Sequence, residues 1–146
     1  MQLDEIHIRT RRDHASEIAE DYVEAIAQFI ESKGLCRSVD LAECFSVTPA
    51  TVNNTLARLV RSELVITAPY QPIGLTSKGR KLALKCKERH EVVHAFLIAI
   101  GVDASTAAVD SEGIEHHISK KTLAAMKKIL ADGWPSVSVA VKADTD

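Results

Sequence analysis

The sequence predicts a mostly α-helical protein with an N-terminal winged helix-turn-helix and a C-terminal helical lobe. Apolar residues recur at three- and four-residue spacing along most of the 146-residue chain. A β-prone run with Pro and Gly breaks separates two groups of helical segments. We expect one unit over residues 1–80, a second over 81–132 and a tail over 133–146.

The first predicted helix covers residues 12–33, where one apolar stripe is followed by Gly34 as a helix stop. A second, short helix is predicted over residues 39–45. The third helix opens at Thr48, an N-cap residue that is followed by proline. Its expected buried face consists of Val52, Leu56, Leu59 and Val60.

Two short strands, residues 64–67 and 74–76, predict a hairpin because prolines and a glycine interrupt the run between them. A long helix, straight or bent, then runs over residues 77–100. Two further helices are predicted over residues 103–117 and 119–131. The order helix, helix, turn, helix, hairpin is that of a winged helix-turn-helix.

Composition limits the class of protein. The chain is 46% hydrophobic and 26% charged, as is usual for globular proteins, and has no apolar run long enough to cross a membrane. Its three cysteines form no CxxC pair, and its N-terminus lacks the apolar core of a signal peptide. We therefore expect a cytoplasmic protein with no membrane partner.

The net charge of −2 conceals a basic segment: residues 48–90 carry a net +6, between −5 in residues 1–47 and −3 in residues 91–146. Short polar side chains at the start of the third helix suit base edges, and Arg58 suits phosphate or guanine. Double-stranded DNA is the expected partner; the alternative is ordinary three-helix packing with a solvated polar face. The candidate DNA-binding residues are Thr48, Ala50, Thr51, Asn53, Asn54, Thr55 and Arg58.

Carboxylates and imidazoles form a second pattern. Asp21 and Glu24 lie beside the apolar stripe of the first helix, where a buried carboxylate needs compensating charge. Glu112, Glu115 and His116 have the spacing of one helix face, and His90 lies on the long helix between these sites. Oxygen-rich sites with one or two imidazoles suit Mn²⁺ or Fe²⁺. Taken singly, Asp21 and Glu24 are more typical of a solvated helix face, and His90 is more typical of a histidine with ordinary polar partners.

In these residues and the segments around them, the chain resembles the manganese-responsive transport regulators of the diphtheria toxin repressor family. The likeness spans about residues 15 to 130. Its segments are DYVE at 21–24, the helix-turn-helix at 39–64, LTSKG at 75–79, RHE at 89–91, and IGV at 100–102 with EGIEHH at 112–117. The resemblance implies a homodimeric metalloregulator that binds an inverted-repeat operator. Its implied metal-site residues are Asp21, Glu24, His90, Glu112, Glu115 and His116, holding up to two Mn²⁺ ions per subunit.

Within this family, the residues at positions 21 and 112 indicate which metal is preferred. The iron-responsive branch has Met in place of Asp21 and Cys in place of Glu112, so hard oxygen at both positions favours Mn²⁺. His94 stands where the family often has Glu and could shift the preference toward softer metals. We expect a Mn²⁺-dependent repressor of manganese uptake genes and no enzyme activity. The alternatives are a winged-helix sensor of Fe²⁺ or Zn²⁺ and a metal-dependent hydrolase, although the sequence lacks a Gly-rich phosphate loop, a nucleophile elbow and HExxH.

Overall fold

The computed structural model describes residues 3–134, with side chains described for residue 8 and residues 11–134. Within this range the chain forms six helices and one two-stranded antiparallel sheet. These are α1 (Leu3–Lys33), α2 (Ser38–Phe45), α3 (Pro49–Arg61), β1 (Val65–Ile66), β2 (Gly74–Leu75), α4 (Ser77–Ala99), α5 (Ala104–Ile114) and α6 (Lys120–Asp132). Most of the tail predicted over residues 133–146 lies outside the described residues.

The main core lies where α1 meets the helix-turn-helix and the hairpin. Val23 and Ile26 of α1, Leu41 of α2 and Val52 of α3 are completely buried in it. Long helix α4 packs against α1 on one side and against α5 and α6 on the other. Helices α1 and α4 therefore connect the N-terminal core to the C-terminal helices.

Local sequence signals fix the helix-turn-helix. Ser46 ends α2 in the left-handed conformation, with φ of 52°. Thr48 then caps α3, because its hydroxyl oxygen accepts the backbone N–H of Thr51 at 3.2 Å. The predicted hairpin is present and pairs Val65 with Leu75, although its strands are only two residues long. The predicted winged helix-turn-helix and mostly helical fold are confirmed.

The buried face of α3 differs from the prediction at two positions. Thr55 is 5% exposed and belongs to the core, whereas Val60 is 39% exposed. Thr55 lies three residues after Val52 and four before Leu59, so helical spacing places it in the middle of the apolar face. Val60 lies at the edge of that face. The expectation that Thr55 lies on the exposed side with the DNA-binding residues is therefore wrong.

The predicted helix over residues 103–117 is too long. Helix α5 ends at Ile114, and residues 115–117 form a turn before Ser119 caps α6. The backbone N–H of His117 bonds to the carbonyl of Ile114 at 3.0 Å, which tightens this turn. The prediction that Glu112, Glu115 and His116 share one helix face is thus wrong, because His116 follows the helix end.

Helix α4 begins against the hairpin at Gly79, where a side chain has no room. A Cβ at this position would lie 2.0 Å from the backbone oxygen of Leu64. We predict that Gly79→Ala lowers the free energy of unfolding by about 1–3 kcal/mol, because the backbone must shift. Chemical denaturation measures this change.

Gly113→Ala is the matched control, since a Cβ there meets no heavy atom within 4 Å. Removing a glycine from the interior of α5 should leave stability unchanged or raise it by up to about 1 kcal/mol. Equal stability of the Gly79 and Gly113 variants would contradict the close approach of α4 and the hairpin.

Candidate metal centre

Three of the predicted ligand residues converge between α4 and the end of α5. His90 Nδ1 lies 3.5 Å from Glu112 Oε1 and 3.1 Å from Glu115 Oε2. One ligand atom from each residue lies within 4.8 Å of the other two. The Glu115 side chain is fully buried, whereas Glu112 faces solvent. This arrangement offers an imidazole and two carboxylates to one cation.

Two more predicted ligand residues, Asp21 and His116, form a second group beside the first. His116 Nε2 lies 2.9 Å from Asp21 Oδ1 and 3.5 Å from Glu115 Oε1. Glu17 of α1 also offers a carboxylate oxygen to this group. The contact between His116 and Glu115 joins the two groups into one centre at the junction of α1, α4 and α5.

Glu24, the sixth predicted ligand residue, lies at the edge of this centre. It lines a groove of about 580 Å³ together with His90 and Glu112. Burial, followed by the charge of Glu112, raises the pKa of the Glu24 carboxyl. Glu24 belongs to neither of the two groups of three, although it faces the same groove as the first.

Glu20, which the sequence analysis did not single out, holds the second group in place. Its Oε2 accepts a hydrogen bond from His116 Nδ1 at 2.7 Å and pairs with Arg89 Nη2 at 2.7 Å. Burial alone would raise the pKa of Glu20, but the hydrogen bonds from His116 and Arg89 outweigh it and lower the pKa. Because Glu20 occupies Nδ1, the other ring nitrogen of His116 is directed at Asp21. The three-residue spacing from Glu20 to buried Val23 is the sequence signal that could have identified it.

The centre retains protons when no cation compensates its carboxylates. Burial, with the charge of Glu24, raises the pKa of Glu115 to about 8. Contacts with the carboxylates of Asp21 and Glu20 raise the pKa of His116 to about 10. At neutral pH the buried carboxyl of Glu115 is therefore largely neutral and the imidazole of His116 charged.

A divalent metal ion fits this set of donor atoms. Among the described side chains, His90 Nδ1, both carboxylate oxygens of Glu115 and His116 Nε2 are buried without a hydrogen-bond partner. Buried polar atoms are normally hydrogen-bonded. These four atoms contact their charged neighbours as ion pairs at 2.9–3.5 Å, so the cluster can accept a cation. Carboxylate oxygens and imidazole nitrogens are ligands that Mn²⁺ and Fe²⁺ accept.

His94 is not a member of either group of potential ligands found among the described residues. Its ring stacks near that of His90, with ring centroids 6.2 Å apart. This spacing follows from the four-residue separation of the two histidines on α4.

The predicted DNA-binding residues lie at the start of α3 and along its outer side. Thr48, Ala50, Thr51, Asn53, Asn54 and Arg58 are all exposed, whereas Thr55 is buried. The hydroxyl of Thr48 is already used as the helix cap. Arg61 is also exposed, about one turn beyond Arg58 and two turns beyond Asn54.

The wing carries no charged residue between Thr67 and Thr76, and Tyr70 at its tip is 98% exposed. The positive charge near the hairpin comes instead from α4, where Lys78 reaches the carbonyl of Ser62 at 3.0 Å. The surface available to an anionic partner is therefore formed by α3 and the first turns of α4.

Comparison with known proteins accounts for both parts of this architecture. The model "Iron dependent repressor, N-terminal DNA binding domain" matches residues 14–73. The model "Iron dependent repressor, metal binding and dimerisation domain" matches residues 76–132. The chain belongs to the iron-dependent repressor family. This confirms the resemblance to the diphtheria toxin repressor family.

Individual relatives in this family are named as transcriptional regulators. The chain is 40% identical over 119 residues to the transcriptional regulator MntR of Escherichia coli O6:H1, an alignment that covers 82% of this chain and 77% of the relative. It is 43% identical over 100 residues to the HTH-type transcriptional regulator MntR of Bacillus subtilis strain 168. That alignment covers 68% of this chain and 70% of the relative.

Among solved structures, a manganese-dependent transcriptional repressor in complex with manganese matches with a TM-score of 0.70 and 27% identity, covering 77% of this chain. The match spans 52% of that solved chain, about half of its length. Family members of this kind are repressors rather than enzymes, so the hydrolase alternative is not favoured. Within residues 3–134, no helix combines the length and the apolar character needed to cross a lipid bilayer.

The raised pKa of Glu115 yields a prediction for the metal-free repressor. Its folded pKa of about 8 exceeds the ordinary value of 4.5, so its contribution to stability is complete below pH 4.5 and is lost as the pH rises through 8. Glu115→Gln cannot ionise. We predict that this variant matches the parent at pH 5 and is more stable by about 1–2 kcal/mol at pH 8.

Urea denaturation in a chelator, at pH 5 and pH 8, measures this difference. The control is Glu43→Gln, which changes an exposed carboxylate on α2 and should show no such pH dependence. A constant difference between the Glu115 variant and its parent at both pH values would refute the buried, protonated state of Glu115.

Proposed function

We propose that this repressor-family protein is a Mn²⁺-dependent DNA-binding transcriptional regulator that represses manganese uptake genes. The observation that carries the proposal is the convergence of buried ligand atoms at the junction of α1, α4 and α5. The similarity to a solved manganese-dependent transcriptional repressor in complex with manganese supports the choice of metal. Because the proposed partner is DNA, we place its action in the cytoplasm.

The proposed metal ligands are Asp21, Glu24, His90, Glu112, Glu115 and His116, holding up to two Mn²⁺ ions per subunit. Oxygen donors at Asp21 and Glu112 favour a hard ion such as Mn²⁺. A bound divalent ion would supply the positive charge that compensates these carboxylates. The two groups of ligand atoms, joined through Glu115 and His116, support a capacity for more than one ion.

The ligand residues come from both proposed units of the chain, residues 1–80 and 81–132. Asp21 and Glu24 lie on α1, whose opposite face forms the core of the helix-turn-helix. Glu112 and Glu115 lie at the end of α5. Holding these side chains together fixes α1 against the C-terminal helices and thereby fixes the position of α3. Coupling of this kind is typically about 1–3 kcal/mol.

The proposed DNA contacts are the six exposed residues of the predicted set; buried Thr55 supports the packing of α3 instead. In a homodimer, two copies of α3 would lie about 34 Å or a multiple of it apart, which suits an inverted-repeat operator. An exposed apolar surface supports self-association: Val109 is 73% exposed and lines a concave patch with Ile114 and Ile118.

The decisive experiment is operator binding, followed by fluorescence anisotropy, against buffered free Mn²⁺, Fe²⁺, Co²⁺ and Zn²⁺. We expect tight binding with Mn²⁺ and loss of operator affinity in excess chelator. The affinity should also fall with salt, with a log–log slope of about −0.9 per phosphate contacted. Full affinity in chelator would refute metal dependence, and a response to Zn²⁺ without one to Mn²⁺ would refute the manganese assignment.

Arg58→Ala tests the DNA-binding surface separately. Arg58 is exposed on α3, and we predict a loss of about 1–3 kcal/mol in operator affinity with unchanged Mn²⁺ binding. Lys121→Ala, which removes an exposed positive charge from α6, is the matched control and should leave operator affinity within about twofold. Equal operator affinities of the two variants would exclude Arg58 from the interface.

A further inference from the structure

Three consecutive backbone carbonyls just beyond α3 are bonded to the start of α4. They belong to Ser62, Glu63 and Leu64, and Glu63 lies in the left-handed conformation, with φ of 59°. Each of the three oxygens accepts a hydrogen bond from Thr76 or Lys78. Carbonyls beyond a helix end cannot be satisfied within the helix, so these bonds supply their partners from another element. The end of α3 is therefore tied directly to α4.

The hydroxyl of Thr76 makes two contacts at this junction. Its oxygen accepts the backbone N–H of Gly79 at 3.0 Å, which caps α4, and its hydrogen is donated to the carbonyl of Glu63 at 2.6 Å. A hydroxyl has one hydrogen and two lone pairs, so both bonds form at once. The backbone N–H of Thr76 also bonds to the carbonyl of Leu64 at 3.1 Å. One residue thus begins α4 and holds the chain that leaves α3.

Lys78 acts on the same end of α3. Its Nζ donates to the carbonyl of Ser62, the residue that caps α3, at 3.0 Å. A positive charge at a helix C-terminus is favourable because the helix dipole is negative there. Lys78 is exposed on the surface available to an anionic partner, yet its ammonium group is directed at this carbonyl.

We propose that Thr76 and Lys78 are positioning residues for DNA binding, which fix the end of α3 to α4. The helix that contacts DNA is then held by the helix that carries His90, twelve residues beyond Lys78. This inference rests on the proposed function, because it requires both the DNA-binding surface and the metal centre. It adds a connection from α4 to α3 that does not pass through α1, and it assigns Lys78 to a protein carbonyl rather than to a phosphate.

The test compares specific and non-specific DNA binding by the Mn²⁺-loaded full chain, followed by fluorescence anisotropy. The probes are an operator duplex selected from a random-sequence library with the parent chain, and a scrambled duplex of the same composition. Thr76→Val keeps the shape of the side chain and loses both hydroxyl bonds. We expect its operator affinity to fall about fivefold or more, with affinity for the scrambled duplex within about twofold, because base contacts need α3 in place and phosphate attraction does not. Thr76→Ser keeps the hydroxyl and should bind as the parent does.

Ser119→Ala is the matched control. It removes the hydroxyl that caps α6 by accepting the backbone N–H of Thr122 at 3.1 Å, so it also loses a helix cap. Ser119 makes no described contact with α3, and both DNA affinities should stay within about twofold of the parent. Equal losses of operator affinity in the Thr76→Val and Ser119→Ala variants would show a general effect of stability and overturn the positioning role.

Lys78→Met separates positioning from a phosphate contact. Lys78 is exposed, so the variant should fold, which circular dichroism checks. We expect operator affinity about threefold weaker, with an unchanged slope of log affinity against log salt; a slope reduced by about 0.9 would reveal a phosphate contact and overturn the assignment of Lys78.

Parent-like operator affinity of both Thr76→Val and Lys78→Met would overturn the whole inference and leave the proposed function standing. Absence of Mn²⁺-dependent DNA binding by the parent would refute the proposed function itself.

Discussion

The structure depends on a concentration of carboxylates buried at one junction. Glu20 and Asp21 from α1 meet Glu115 from the end of α5, and the nearby positive groups are Arg89 and His116. Burying like charges is unfavourable, so the folded chain must compensate them. Without metal it does so with protons, which explains why the pKa values of Glu115 and His116 are both raised. The cost of this arrangement is a centre whose buried ligand atoms lack hydrogen-bond partners.

Helix α1 connects this junction to the core that supports the DNA-binding surface. Val23 and Ile26 bury one face of α1 in the core with α2 and α3, whereas Asp21 and Glu24 stand on another face. A rigid helix cannot move one face without the other. In the proposed function, a change in how the carboxylates pack against α5 would therefore change the position of α3 relative to the C-terminal helices, and this coupling would need no other moving part.

The sequence alone predicted the helices, caps and turns, which depend on residues that are close together in the chain. Helical spacing located α1 and α3, and the cap at Thr48 and the prolines of the hairpin identified the turns between elements. It did not predict features that depend on packing between distant segments. Thr55 was assigned to the exposed face because its hydroxyl is polar, yet its neighbours on the helix place it in the core.

The candidate centre was predicted in the same partial way. The motif at residues 112–117 identified the ligand types, but the end of α5 at Ile114 separates Glu112 from His116 in a way that spacing cannot show. Glu20 was missed because a carboxylate on a helix is usually solvated. Only its hydrogen bond with His116, which lies 96 residues further along the chain, reveals its role.

The balance of charge explains how an acidic chain can bind DNA under the control of a metal. The formal net charge is −2, and the uncharged wing contributes nothing to attract phosphates. At neutral pH, the protons that Glu115 and His116 retain make the metal-free chain less negative than this formal charge. Two bound divalent ions that displace both protons would raise it to about +2 per subunit, and to twice that in a dimer. In the proposed function, metal binding would thus strengthen the long-range attraction for DNA as well as fix α3, so that geometry and electrostatics would favour DNA binding together.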